Sequence, residues 1–224
     1  LYNSNKIPNL NLETLKYLKL ETAPIGPLPN NLIELNCSEN EISSLDNLPN
    51  TLINLICSHN KITSLDNLPN SLKTLSIGKM FNQPLNNLPD SLKKIVINGK
   101  FDYSLDNLPD SIEFLSINGN YNKEINKYPN SLKFLVLSSE LKQPLNLLPR
   151  GLTHLSIYPN DFDEYIETIP EFITHLFLRG YLTKQIKKIP DSIQQIVINE
   201  EQFKKLVPEK FHEIIKIEKY ELFK

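Results

Sequence analysis

LPNTLINLICSHNKITSLDN (residues 48–67), LPNSLKTLSIGKMFNQPLNN (68–87) and LPDSLKKIVINGKFDYSLDN (88–107) are consecutive segments of one chain. Laid under one another they superimpose. An apolar-Pro pair recurs at Pro29, Pro49, Pro69, Pro89, Pro109, Pro129 and Pro149 in steps of 20, and Pro170 and Pro190 follow after 21 and 20. A fixed period of this length marks a repeat architecture in which each unit leans on its neighbours.

Three apolar columns keep step with the prolines. The first is Leu32, Leu52, Leu72, Leu92, Ile112, Leu132, Leu152, Ile173 and Ile193. The second is Leu35, Leu55, Leu75, Ile95, Leu115, Leu135, Leu155, Leu176 and Ile196. The third is Cys37, Cys57, Ile77, Ile97, Ile117, Leu137, Ile157, Leu178 and Ile198. An earlier copy reads Leu15, Leu18, Leu20. The last two columns are two residues apart, which puts both side chains on one face of a strand. Strands of three to five residues cannot bury that face alone, so the units must stack in parallel about 4.8 Å apart. The reading is a solenoid, a right-handed coil with one parallel β-sheet on its concave face. Proline discourages helix in the residue before it, and Pro-Asn-Ser, Pro-Asn-Thr and Pro-Asp-Ser are turn triplets. Extended or 3₁₀ segments are therefore expected on the convex side, with Leu45/Leu48, Leu65/Leu68, Leu85/Leu88 and Leu105/Leu108 closing the core there.

The pattern L-x-x-L-x-[L/I/C] resembles the leucine-rich-repeat family in its short form, over residues 8–200 or thereabouts. Asn40 and Asn60, in L-I-E-L-N-C-S-E-N-E-I (32–42) and L-I-N-L-I-C-S-H-N-K-I (52–62), match that family's ladder asparagine. Later units resemble its FNIP-repeat subfamily, found in social amoebae and in giant viruses of amoebae. Phe81-Asn82-Gln83-Pro84-Leu85 carries the likeness, and Phe101-Asp102, Tyr121-Asn122 and Phe162-Asp163 are looser copies. Leu141 and Leu182 hold the same position without a ring. The resemblance implies an inward aromatic spine, with Asn82, Asp102 and Asn122 carrying on the ladder. It also covers proteins with an F-box; the 224 residues hold no such segment, so that role is not carried over.

Residues 1–200 are thus read as about ten units, the first truncated, because L-Y-N-S-N-K-I at 1–7 aligns with I-C-S-H-N-K-I at 56–62. That predicts a fragment, or a longer protein with its N-terminal part removed. The period fails after Ile198, and residues 201–224 are expected to cap the last sheet edge.

Composition narrows the function classes. The chain is 40% hydrophobic with 24 Lys and Arg against 26 Asp and Glu, well mixed. That leaves no basic field for nucleic acid, and no apolar run of spanning length for a membrane. Cys37 and Cys57 are too few for a disulfide framework and fall in an inward column, so buried thiols in a reducing, cytoplasmic compartment are expected (the host cytoplasm if the source is viral). His59, His154, His175 and His212 sit in no nucleophile motif, and no phosphate loop or metal-ligand spacing is present. No catalytic residue, metal or cofactor is assigned.

Residues between core positions point outward on the concave face. One outward column reads Glu34, Asn54, Thr74, Lys94, Phe114, Phe134, His154, His175 and Gln195; the next reads Asn36, Ile56, Ser76, Val96, Ser116, Val136, Ser156, Phe177 and Val197. The surface turns from polar to aromatic along its length. Lys94, Phe114, Phe134, Val136, His154, His175 and Phe177 are the candidate contact residues. Two readings stand: the rings stack on one another as cross-strand pairs, or they form an apolar contact stripe for a partner protein. The expectation is a protein-recognition scaffold; the alternative is a self-associating, homodimeric repeat protein.

Overall fold

The computed structural model describes residues 16–19, 28–137, 144–158, 168–179, 186, 188–199, 204 and 206–218. Phe162-Asp163, Leu141 and Leu182 lie outside them, as do residues 1–7.

Each unit begins at its proline. The carbonyl of Pro49 accepts the Leu52 N–H at 3.0 Å, and the same turn recurs at all nine repeat prolines, from Pro29 to Pro190. This turn reverses the chain and delivers the first-column residue into the core. The strand follows. In order they are β1 (Tyr17–Lys19), β2 (Glu34–Asn36), β3 (Asn54–Ile56), β4 (Thr74–Gly78), β5 (Lys94–Asn98), β6 (Phe114–Asn118), β7 (Phe134–Leu137), β8 (His154–Ile157), β9 (His175–Leu178), β10 (Gln195–Ile198) and β11 (Ile215–Ile217). They form one 11-stranded sheet in sequence order. Every pairing is parallel, and register is strict: Leu75 faces Ile95, Ile95 faces Leu115, and Leu115 faces Leu135. The protein is a repeat solenoid built on one parallel sheet.

The three inward columns are buried throughout the described units from Leu32 on, as is the convex apolar pair. The aromatic spine is present: Phe81, Phe101 and Tyr121 are buried, and the Phe101 and Tyr121 rings lie 6.2 Å apart at 25°. On the convex side the backbone runs through turns and, at Leu145–Leu147, a 3₁₀ segment. No described segment has the length a helix would need there.

Ladders tie unit to unit. Asn60 is fully buried; its Nδ2 donates to Cys37 O at 2.8 Å in the preceding unit and to Cys57 O at 3.1 Å, while its Oδ1 accepts Ile42 N–H at 3.0 Å. Asn40 donates to Cys37 O and Ser38 O. Asn82 and Asp102 are joined twice, by Asn82 Nδ2 to Asp102 Oδ2 and by Asp102 N–H to Asn82 Oδ1, each at 2.9 Å. Asn122 does not continue this link. The Tyr121 N–H turns back to Gly119 O at 3.0 Å, whereas Phe101 N–H reaches forward to Asn120 O, and the Asn122 side chain is left exposed.

A second ladder was not anticipated. The hydroxyls of Thr51, Ser71, Ser91, Ser111 and Ser192 donate to the carbonyls of Leu32, Leu52, Leu72, Leu92 and Ile173, at 2.7–2.9 Å. The signal was present in the hydroxyl two residues after six of the nine repeat prolines.

The strand repeat also outlasts the sequence period. A 3₁₀ segment, Glu209–Ile214, buries Phe211 and leads into β11, where Ile215 pairs with Ile196 and Ile217 with Ile198. The residues after Ile198 therefore lengthen the sheet by one strand.

Candidate functional site

Because the strands are in register, an outward residue meets its counterpart in the next unit. In the polar half of the concave face this gives hydrogen bonds, such as Asn54 Nδ2 to Glu34 Oε1 at 2.7 Å. From β5 onward it gives a row of rings. Lys94 Nζ, on an exposed side chain, stands 4.6 Å from the Phe114 centroid, a cation–π contact. Phe114 and Phe134 stack at 4.9 Å and 19°, Phe134 and His154 at 5.1 Å and 22°, and His154 and His175 at 4.2 Å and 8°. One stack thus crosses β6, β7, β8 and β9, and all four rings are half-buried.

Phe177 lies in the neighbouring column. Its ring reaches 5.7 Å from Phe134 and 6.5 Å from His154, spanning β8. It can do so because its register partner is Ser156, which is small. Ser156 is consequently buried although it faces outward. Val136, its partner on β7, is only 6% exposed. That corrects the expectation for Val136: it is short, flanked by rings, and acts as floor beneath them. Lys94, Phe114, Phe134, His154, His175 and Phe177 are brought together as one surface strip.

Electrostatics follow from the stacking. Burial, and secondarily the neighbouring His175, hold His154 below the usual imidazole range. Each ring is tethered through Nδ1 to the hydroxyl before it, Thr153 Oγ1 to His154 and Thr174 Oγ1 to His175, both at 2.9 Å. These threonines were overlooked in the sequence, where the signal was a Thr before each His.

Elsewhere the polar groups serve the fold. Cys37 and Cys57 are free and buried; burial pushes the Cys37 thiol up to about 12 and that of Cys57 well above its ordinary value. Among the described residues no group of three or more His, Cys, Asp or Glu is arranged to hold a metal ion. No helix among them is long and apolar enough to cross a membrane.

The decisive comparison is with repeat families. The FNIP Repeat family matches residues 59–100 and 81–120, the stretch that carries the buried Phe81–Phe101–Tyr121 spine. Residues 59–120 are similar to FNIP repeats. No curated protein matches this chain. Two stand among the solved structures similar to it. One is CroV588, described as a novel circular LRR protein structure, at 21% identity over 83% of this chain and 40% of that one, with a TM-score of 0.38. The other is YopM from Yersinia enterocolitica WA-314, at 21% identity over 85% of this chain and 46% of that one, with a TM-score of 0.44. This chain spans less than half the length of either.

Proposed function

We propose that this chain is a non-catalytic scaffold that recognises a partner protein through the aromatic strip on its concave face. One observation carries the reading: six side chains from five successive strands make one continuous strip on the concave face, with the rings half-buried and stacked in register. Rings already held in place lose little freedom when a partner covers them, so their burial translates efficiently into affinity. Repeat solenoids commonly use the concave sheet in this way. The free, buried thiols favour a reducing compartment such as the cytoplasm.

Phe134→Ala combined with Phe177→Ala tests the reading. Partner capture should fall by at least tenfold while the fold is retained, since an aromatic anchor at an interface contributes about 2 kcal/mol or more. Full capture by the double variant would refute it. Self-association is the competing role, favoured by β11, an end strand of the sheet whose Ile217 is exposed. Light scattering over a concentration series separates the two: a monomer throughout supports recognition of another protein, and a stable dimer supports self-association.

A further inference from the structure

Native folds bury few polar atoms without a hydrogen bond, because a hydroxyl taken out of water and given no partner destabilises the chain. Among the described residues, one such atom belongs to the outward columns of the concave face: Ser156 Oγ. Ser156 is 0% exposed, although strand alternation turns its side chain toward solvent. What covers it is the Phe177 ring. Phe177 is the one aromatic residue of its column, and it stands opposite Ser156 in the register. Its ring reaches back over β8 to Phe134 and His154, at 5.7 and 6.5 Å.

The cover is lightly held. His154 and His175 stack in line at 8°, whereas Phe177 meets Phe134 tilted at 42°. Its column neighbours, Ser156 on one side and Val197 on the other, are small. Rotation of the ring to another staggered position about the Cα–Cβ bond therefore breaks ring contacts and no hydrogen bond. That rotation opens a slot walled by Phe134 and the displaced ring, with Ser156 and the buried Val136 as its floor.

We propose that Ser156 is a specificity-determining residue of the concave strip, hidden beneath Phe177, which selects a partner segment carrying a neutral hydrogen-bonding side chain of the Ser, Thr, Asn or Gln kind. This rests on the protein-recognition reading of the strip. A hydroxyl both donates and accepts, so any of these side chains satisfies it. An aliphatic side chain in the slot leaves the Ser156 hydroxyl buried and unpartnered, the situation in which polar sites discriminate most strongly. A charged side chain loses its hydration between two aromatic walls and finds no opposite charge there. The displaced Phe177 ring still packs on the incoming segment, so it remains an anchor of the strip.

Two measurements test this. The first needs no partner and is a cycle of melting temperatures for Ser156→Ala, Phe177→Ala and the pair. Ser156→Ala should raise the melting temperature of the unaltered chain by about 2–4 °C, since it removes a buried hydroxyl with no partner. In the Phe177→Ala background it should give no gain, because water already reaches the hydroxyl. A fall with Ser156→Ala, or the same gain in both backgrounds, overturns the proposal. The second uses a random peptide library displayed on phage and selected on the unaltered chain. Binders should share a neutral hydrogen-bonding residue. Its replacement by an aliphatic residue of like size should weaken binding to the unaltered chain about tenfold and leave binding to Ser156→Ala unchanged. Binders that fail on Phe134→Ala with Phe177→Ala but hold Ser156→Ala and the unaltered chain equally well keep the recognition reading and overturn the role of Ser156. If no binder requires the phenylalanines, the recognition reading falls and the role of Ser156 falls with it.

Discussion

Single residues divide here into those whose role depends on their own type and those whose role depends on a neighbour. Leu105 belongs to the first kind: it is apolar at a fixed place in the period, and it is buried. Leu105→Ala should cost about 2–5 kcal/mol, read by chemical denaturation, as a core truncation does. Gly78 is also fixed by its own type. Its φ is +138°, and an added Cβ would lie 1.9 Å from Asn98 O. Gly78→Ala should destabilise the chain by more than about 1 kcal/mol; an unchanged denaturation midpoint would refute this close approach. Gly151 is the contrast, with nothing nearer than 3.7 Å to its Cβ, the nearest atom being Leu132 O. It occupies the hydroxyl-ladder position, so Gly151→Ser should complete the ladder and raise stability by about 0.5–1.5 kcal/mol. Val136 and Ser156 are of the second kind. Their burial follows from where the Phe177 ring lies, and no property of valine or serine announces it.

At the scale of the strand, the sequence made the inward columns legible and the outward ones only in part. Alternation assigns each side chain a face, and register then follows because a slip of one residue would turn every leucine outward. Outward residues carry no such constraint. The row from Phe114 to His175 could be read as a row, but its stacking distances and its threonine tethers depend on side-chain rotamers. The hydroxyl ladder was missed because serine after proline reads equally well as turn chemistry. The stacked histidines give the strands a pH response. His154 titrates below the ordinary imidazole value of about 6.5. The unfolded chain therefore takes up the proton first, and its contribution to stability is complete above about pH 6.5 and lost as pH falls below it. The melting temperature should drop in that window. His154→Gln should flatten the decline, and an identical profile in the variant would show that the acid sensitivity lies elsewhere. Lys94, three strands from His154, adds positive charge to the same row.

For the whole molecule, the 20-residue period was enough to give the architecture, since one unit implies the next and stacking implies a parallel sheet. It did not reveal the end. The charged stretch after Ile198 lacks the leucine pattern, yet backbone pairing needs no particular side chain, and β11 joins the sheet. In a solenoid of this kind damage spreads to neighbours, so core and surface variants should separate cleanly. That separation tests concave-face recognition most directly. Partner capture and melting temperature are to be measured side by side for the unaltered chain, for Phe134→Ala with Phe177→Ala, and for Leu105→Ala. Recognition through the strip predicts that the double phenylalanine variant keeps its melting temperature within a few degrees and loses at least tenfold in capture, while Leu105→Ala melts several degrees lower. Undiminished capture by the double variant would contradict it and leave the aromatic row as packing alone.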